Sequence, residues 1–122
     1  MSQFLSPEWI NAYREEWNGS SSLTADLSGF NARIKYYVDG SEADAVEVAV
    51  SDGVVTSAGP AGADHEFVLW ASPENWRKLA TGEIGPKSAM LTTRLKFKGS
   101  MVTATKYMGA FEESLRMMSK VP

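Results

Sequence analysis

The sequence predicts an α+β fold, a five-stranded, mostly antiparallel sheet covered by helices on one face. Three observations carry that expectation. Apolar residues recur at three- and four-residue steps near both ends of the chain but at steps of two between Phe30 and Val50. Ser-Pro-Glu, a helix-opening triplet, occurs at Ser6-Pro7-Glu8 and again at Ser72-Pro73-Glu74. Between two runs rich in valine stands Asp52-Gly53, a two-residue hairpin turn.

Each element follows in chain order. Ser6 can accept from a free backbone amide, Pro7 sits where no donor is needed, and Glu8 meets the positive end of the helix dipole. Leu5 and Ile10 are spaced as a hydrophobic staple. Trp9, Tyr13 and Trp17 then place one aromatic face on a helix that ends near Asn18-Gly19. That face suits a sheet-covering helix or the lid of a cavity. A short helical turn is expected near Leu23 to Leu27. Phe30, Ala32, Ile34, Tyr36 and Val38 alternate with polar neighbours, a strand with one buried face. Val46, Val48 and Val50 form the second strand and Val54-Val55-Thr56 starts the third, with Gly59-Pro60-Ala61-Gly62 breaking the chain. Asp64 to Ala71 reads as the fourth strand, carrying Phe67 and Leu69 on one face and His65 on the same side. Two short helices follow, one holding Trp76 and Leu79, the other opening at Pro86. Leu95 and Phe97 point one way on a fifth strand, while Arg94, Lys96 and Lys98 point the other. Ser100 caps a closing helix on which Met101, Ala104, Thr105, Met108, Phe111, Leu115 and Met118 share a face. Gly109 in its middle costs about 1 kcal/mol relative to alanine, which calls for a bend or a close neighbour there.

The totals bound the function. A chain of 122 residues suits a single domain, residues 1–122, with a core of useful size. Twelve Lys plus Arg against 15 Asp plus Glu give a net charge of −3, which argues against a general hold on nucleic acid. There is no cysteine, so thiolate catalysis, disulfides and cysteine metal sites are all absent. No apolar run reaches the roughly 20 residues of a membrane span, and no signal pattern opens the chain. A soluble, cytoplasmic protein is expected. Lys120-Val121-Pro122 is not a Ser-Lys-Leu-type peroxisomal address.

Catalytic chemistry finds little footing. His65 lies between Asp64 and Glu66, but adjacent strand residues point to opposite faces and the three cannot converge without a bulge. No nucleophile elbow, phosphate-binding loop or zinc spacing occurs. Asp39, Glu42 and Asp44 lack calcium-loop spacing, and Glu15-Glu16 and Glu112-Glu113 read as solvent faces. No catalytic residue, metal or cofactor is called for. The cations Arg94, Lys96 and Lys98, with Lys87 and Lys106 nearby, suit transient contact with an anionic membrane surface or simply the solubility of an exposed strand.

Five of the six methionines, Met90, Met101, Met108, Met117 and Met118, fall in the last third of the chain. Unbranched and polarisable, methionine fills an irregular core or makes an adaptable wall around an apolar guest. In the same stretch Trp76, Leu79 and Gly82 are followed by Pro86 and Ala89, by Leu95-Lys96-Phe97 and Gly99, and by Ala104 and Lys106. That order resembles the sterol carrier protein 2 domain family. The resemblance spans most of the chain and is strongest from Phe67 onward. It implies an apolar tunnel between sheet and helices, and a carrier for a fatty acid, acyl-CoA, sterol or related lipid. Trp76, Leu79, Met90, Phe97, Met101, Met108 and Phe111 are then the expected lining, with Trp9 and Tyr13 at its margin. Two residues depart from the pattern. Thr93 stands where a glycine is usual, narrowing the space beside the strand and disfavouring sterol-sized guests relative to thin acyl chains. Ser100 replaces the usual acidic or amide residue. Two other classes stay open: an accessory subunit or enzyme, in which His65, Tyr36 and Tyr107 would be tested, and a dimerising module without a cavity. Monomer and homodimer are both compatible with the sequence.

Overall fold

A computed structural model describes residues 3–121. Its elements are α1 (Pro7–Asn18), α2 (Ser21–Asp26), β1 (Ala32–Val38), β2 (Val46–Ser51), β3 (Val54–Pro60), β4 (Phe67–Ala71), α3 (Pro73–Thr81), α4 (Pro86–Leu91), β5 (Lys96–Lys98), α5 (Met101–Lys106) and α6 (Met108–Arg116). Short 3₁₀ turns cover Glu42–Asp44 and Met117–Lys120. Pro122, the last residue of the C-terminal tripeptide, lies outside the described residues.

The five strands form one sheet in the order β3-β2-β1-β4-β5. β1 pairs antiparallel with β2, β2 with β3, and β4 with β5, while β1 and β4 run parallel. The meander β1-β2-β3 thus grows on one side of β1 and the later strands add on the other. Helix starts follow the expected chemistry: Ser6 and Ser72 accept from the backbone amides of Trp9 and Asn75, at 3.1 and 3.2 Å. Leu5 and Ile10 are both buried, as a staple requires.

The inward stripe of α1 packs across the sheet. Trp9, Ile10, Tyr13 and Trp17 are all buried, and the Tyr13 ring meets Tyr36 of β1 edge-on at 6.2 Å. The Tyr13 hydroxyl donates to the Ser114 carbonyl at 2.7 Å and Trp17 Nε1 to the Gly53 carbonyl at 2.9 Å, tying α1 to α6 and to the β2–β3 turn. Burial pushes both the Tyr13 and Tyr36 phenols far above their ordinary pKa, so both stay neutral.

Three stretches differ from the sequence expectation. β3 continues through Gly59-Pro60, with Pro60 opposite Val46; an edge strand tolerates proline because its outer amides need no ladder partner. β4 begins at Phe67, not Asp64. Asp64 takes φ 65°, and the residues after it are engaged sideways. His65 Nε2 lies 2.8 Å from Glu47 Oε1, and the Glu66 carboxylate accepts the Arg33 amide at 2.6 Å. The closing helix is two helices, broken at Tyr107, where φ −108° and ψ 24° leave helical geometry. A Cβ at Gly109 would meet nothing within 4 Å, so that glycine accompanies a bend and not a close contact.

Gly99 is demanded by packing. With φ 147°, it brings the start of α5 so near β4 that a Cβ there would stand 2.6 Å from both the Glu66 carbonyl and the Phe67 ring. This approach is what lays α5 against the sheet end.

Candidate functional site

Where α4, β5, α5 and α6 meet, the structure leaves an open groove of about 600 Å³. Four of the expected lining residues converge on it from four elements: Met90 from α4, Phe97 from β5, Met101 from α5 and Met108 from α6. Leu91, Leu95, Thr93 and Thr105 complete the apolar walls, and Lys87 and Lys96 stand at the border. The volume falls within the roughly 300–1,000 Å³ range of small-molecule sites, and three unbranched thioethers give the wall freedom to reshape.

Deeper, between the sheet and the α5–α6 bend, is a separate apolar void of about 50 Å³. Phe111 lines it with Trp17, Phe30, Phe67, Leu69 and Tyr107. Phe97 borders both spaces, so its ring is the partition between groove and void. The tunnel implied by the family resemblance is therefore narrow here: aromatic side chains occupy most of the space between sheet and helices. Phe97 packs on Phe67 at 5.7 Å and on Phe111 at 6.4 Å, while Tyr107 packs on Phe30 at 5.1 Å.

The remaining four expected lining residues sit elsewhere. Trp76 and Leu79 of α3 and Trp9 and Tyr13 of α1 lie in the continuous core, bordering neither space. Trp76 Nε1 donates to the Tyr37 carbonyl at 3.0 Å, which holds α3 on the sheet. Phe30, Phe67, Tyr107, Leu91 and Thr105 line the two spaces and did not emerge from sequence reasoning. The period of two already put Phe30 and Phe67 on the covered face, and the helical period put Thr105 on the face shared with Met101 and Met108; nothing in the pattern marked Leu91.

Thr93 ends α4 with φ 58°, a left-handed conformation that glycine takes freely and threonine only under strain. It stands in the groove wall, so a side chain projects where a glycine would leave room.

Groups with reactive potential are dispersed. Tyr36 is buried in the core beside Tyr13 and Trp76, Tyr107 is at the helix bend, and His65 is bonded to Glu47. None of the three borders the groove. Burial alone would raise the Glu47 pKa. The Gly62 amide at 2.7 Å, His65 at 2.8 Å and Arg33 at 2.9 Å together outweigh burial and hold the carboxyl below its ordinary value. That arrangement ties β2 to β1 and to the loop before β4, a structural task. Among the described residues no buried side-chain nitrogen or oxygen lacks a hydrogen-bond partner, so no buried polar atom is left for a ligand headgroup to satisfy.

Comparisons with known proteins agree with the fold. The family profile described as the SCP-2 sterol transfer family matches residues 10–112, and the chain belongs to that family. Among solved structures, a crystal structure of sterol carrier protein 2 superposes with TM-score 0.86 at 22% identity, covering 98% of this chain and 100% of that one. A conserved hypothetical protein from Thermus thermophilus, described as possibly a sterol carrier protein, gives 0.82 at 21% identity, with 98% and 90% covered. UbiJ-SCP2, a ubiquinone synthesis protein, gives 0.64 at 13% identity, with 100% and 99% covered. The sec-alkylsulfatase Pisa1 from Pseudomonas sp. gives 0.55 at 12% identity over 71% of this chain and 14% of that one. No curated protein matches. At these identities the structural likenesses establish the fold. Among the described residues, no helix is long and apolar enough to cross a membrane.

Proposed function

We propose that this protein is a non-enzymatic carrier of one apolar small molecule, held in the groove walled by Met90, Phe97, Met101, Met108 and Leu95, with Phe111 reached when the Phe97 ring swings aside. The observation that carries the proposal is that groove of about 600 Å³, opened by a chain of the SCP-2 sterol transfer family beside a sheet-helix void of about 50 Å³. Binding is by burial, with each methylene removed from water contributing about 0.8 kcal/mol. Trp76, Leu79, Trp9 and Tyr13 act by holding the sheet and helices in place around the site. Thr93 in the wall favours a thin acyl chain, such as a fatty acid or acyl-CoA tail, over the wider sterol skeleton. The whole chain acts as one binding unit in the cytoplasm, taking no cofactor or metal.

Native mass spectrometry of the purified protein tests this. A bound mass of a fatty acid or related lipid, removed by delipidation and restored by adding palmitate, is the expected result. An empty protein that takes up no acyl chain on addition refutes the carrier. An empty homodimer that buries this same face refutes it in favour of a dimerising module. A second reading has one observation in its favour, the occurrence of this fold within the much longer Pisa1 chain. In it, the protein is an accessory unit that presents an apolar substrate to an enzyme, and delipidated protein then raises that enzyme's rate while having no turnover of its own.

A further inference from the structure

Every sulfur in this chain is a thioether. With six methionines and no cysteine, only methionine can take up oxygen at sulfur from a peroxide. Five of the six lie among the described residues, and the fold divides them into two sets. Met117 and Met118, in the 3₁₀ turn after α6, are 4% and 3% exposed and belong to the core. Met90, Met101 and Met108 come from three different helices to the wall of one groove. Met90 and Met108 are half-buried, and Met101 is 52% exposed.

Filling a core explains the first set and not the second. Met101 opens α5 directly after the Ser100 cap and stands largely in water, where it adds nothing to the core. Leucine would supply an equally apolar wall. What methionine adds at the groove is a flexible stem and a nucleophilic sulfur within reach of solvent. When such a sulfur meets hydrogen peroxide, its lone pair attacks one oxygen, and the S–O bond forms as the O–O bond breaks. The departing hydroxide takes the proton left on the transferred oxygen and becomes water. Sulfur is thereby oxidised by two electrons and the peroxide reduced by two. The sulfoxide is polar where the thioether was apolar. Lys87 at the groove border and Thr105, one turn on from Met101 in α5, are donors from which a sulfoxide oxygen can accept, so the groove tolerates a change that the core would not.

We infer that Met101, followed by Met108 and Met90, is a site of modification by peroxide, and that its oxidation releases an apolar guest by turning the groove wall polar. An acyl chain lying on the oxidised wall strips water from the sulfoxide oxygens and offers them no hydrogen bond in return, which weakens binding about tenfold or more. The change is reversible, because methionine sulfoxide reductases return the sulfoxide to the thioether. Met117 and Met118 are spared while the chain is folded, since the oxidant must reach the sulfur and both are enclosed. The modification site stands on exposure and chemistry alone. Its effect on a guest rests on the carrier reading.

Dilute hydrogen peroxide added to the full chain, with peptide mass mapping over time, tests the site. Met101 is expected to gain oxygen first and Met108 and Met90 next, with Met117 and Met118 following only after unfolding in urea. Oxidation of Met118 as fast as Met101 in the folded protein overturns the inference. Titration of the treated protein with a fluorescent fatty acid analogue should show Kd raised about tenfold or more, an unfolding midpoint close to that of the untreated protein, and recovery of affinity after methionine sulfoxide reductase. A variant carrying Met90→Leu, Met101→Leu and Met108→Leu together should keep its own starting affinity through the same treatment. Unchanged binding by the oxidised parent, or a loss in the leucine variant equal to the parent's, overturns the inference and leaves the carrier reading intact. If the untreated protein takes up no fatty acid analogue, the carrier reading falls and the mapped oxidation site stands.

Discussion

Replacing Met108 by lysine places a charge in the groove without disturbing the core. Met108 begins α6, is partly exposed, and borders the groove opposite Met90 and Met101. A bound acyl chain lying along that wall would have about three methylenes against this side chain, worth about 0.8 kcal/mol each. The lysine stem can direct its ammonium outward, which limits the penalty to the burial those methylenes forgo and spares the full cost of a buried charge. The expected loss is therefore about 2 kcal/mol, about a thirtyfold rise in Kd. Stability should change by less than about 1 kcal/mol, because a partly exposed position has solvent to receive the charge. The assay is titration with a fluorescent fatty acid analogue, with the unfolding midpoint measured on the same samples. Met118→Lys is the contrast: Met118 is buried in the continuous core and that variant should unfold. Binding by Met108→Lys at parental affinity would show that the groove is not the ligand site. Unfolding of Met108→Lys would show that this methionine is core after all.

Three further outcomes follow from particular residues. Thr93→Gly relieves a left-handed threonine and removes a side chain from the groove wall, so the affinity ratio of a sterol to a fatty acid should rise while the unfolding midpoint moves little; an unchanged ratio in parallel titrations would dismiss Thr93 as a width determinant. Glu47 has its pKa held below the ordinary 4.5, so its contribution to stability is complete above that value and is lost as pH falls through the depressed folded-state pKa. Urea midpoints measured from neutral pH downward should drop for the parent below about pH 4.5 and drop less steeply for Glu47→Gln, which starts from a lower stability. Gly99→Ala would set a methyl group 2.6 Å from the Glu66 carbonyl and the Phe67 ring at a backbone angle alanine avoids, and should cost about 3 kcal/mol or more, read from the chemical-denaturation midpoint.

Local chemistry determined the elements. Serine caps, the Asp52-Gly53 turn and the change of period from about four to two reflect interactions within a few residues, so the helices, the meander and the inward faces of Trp9, Tyr13, Trp17, Phe67 and Leu69 could be read directly. The order of Trp76, Gly82, Pro86, Leu95 and Gly99 likewise pointed to the family, because those residues meet local demands of turn and packing. The partition of the apolar residues between wall and core was decided only by tertiary structure. Met108 and Met118 share one periodic stripe in the sequence, yet Met108 opens α6 at the border of an open groove, whereas Met118 lies in the 3₁₀ turn that follows α6 and is packed into the core. Trp76 and Phe97 are equally apolar, but one is buried beneath α3 and the other separates two spaces. Periodicity reports which side of an element leaves water. Whether that side then meets a neighbouring side chain or an empty volume depends on how far apart the packed elements stand, a distance set by contacts between residues remote in the chain.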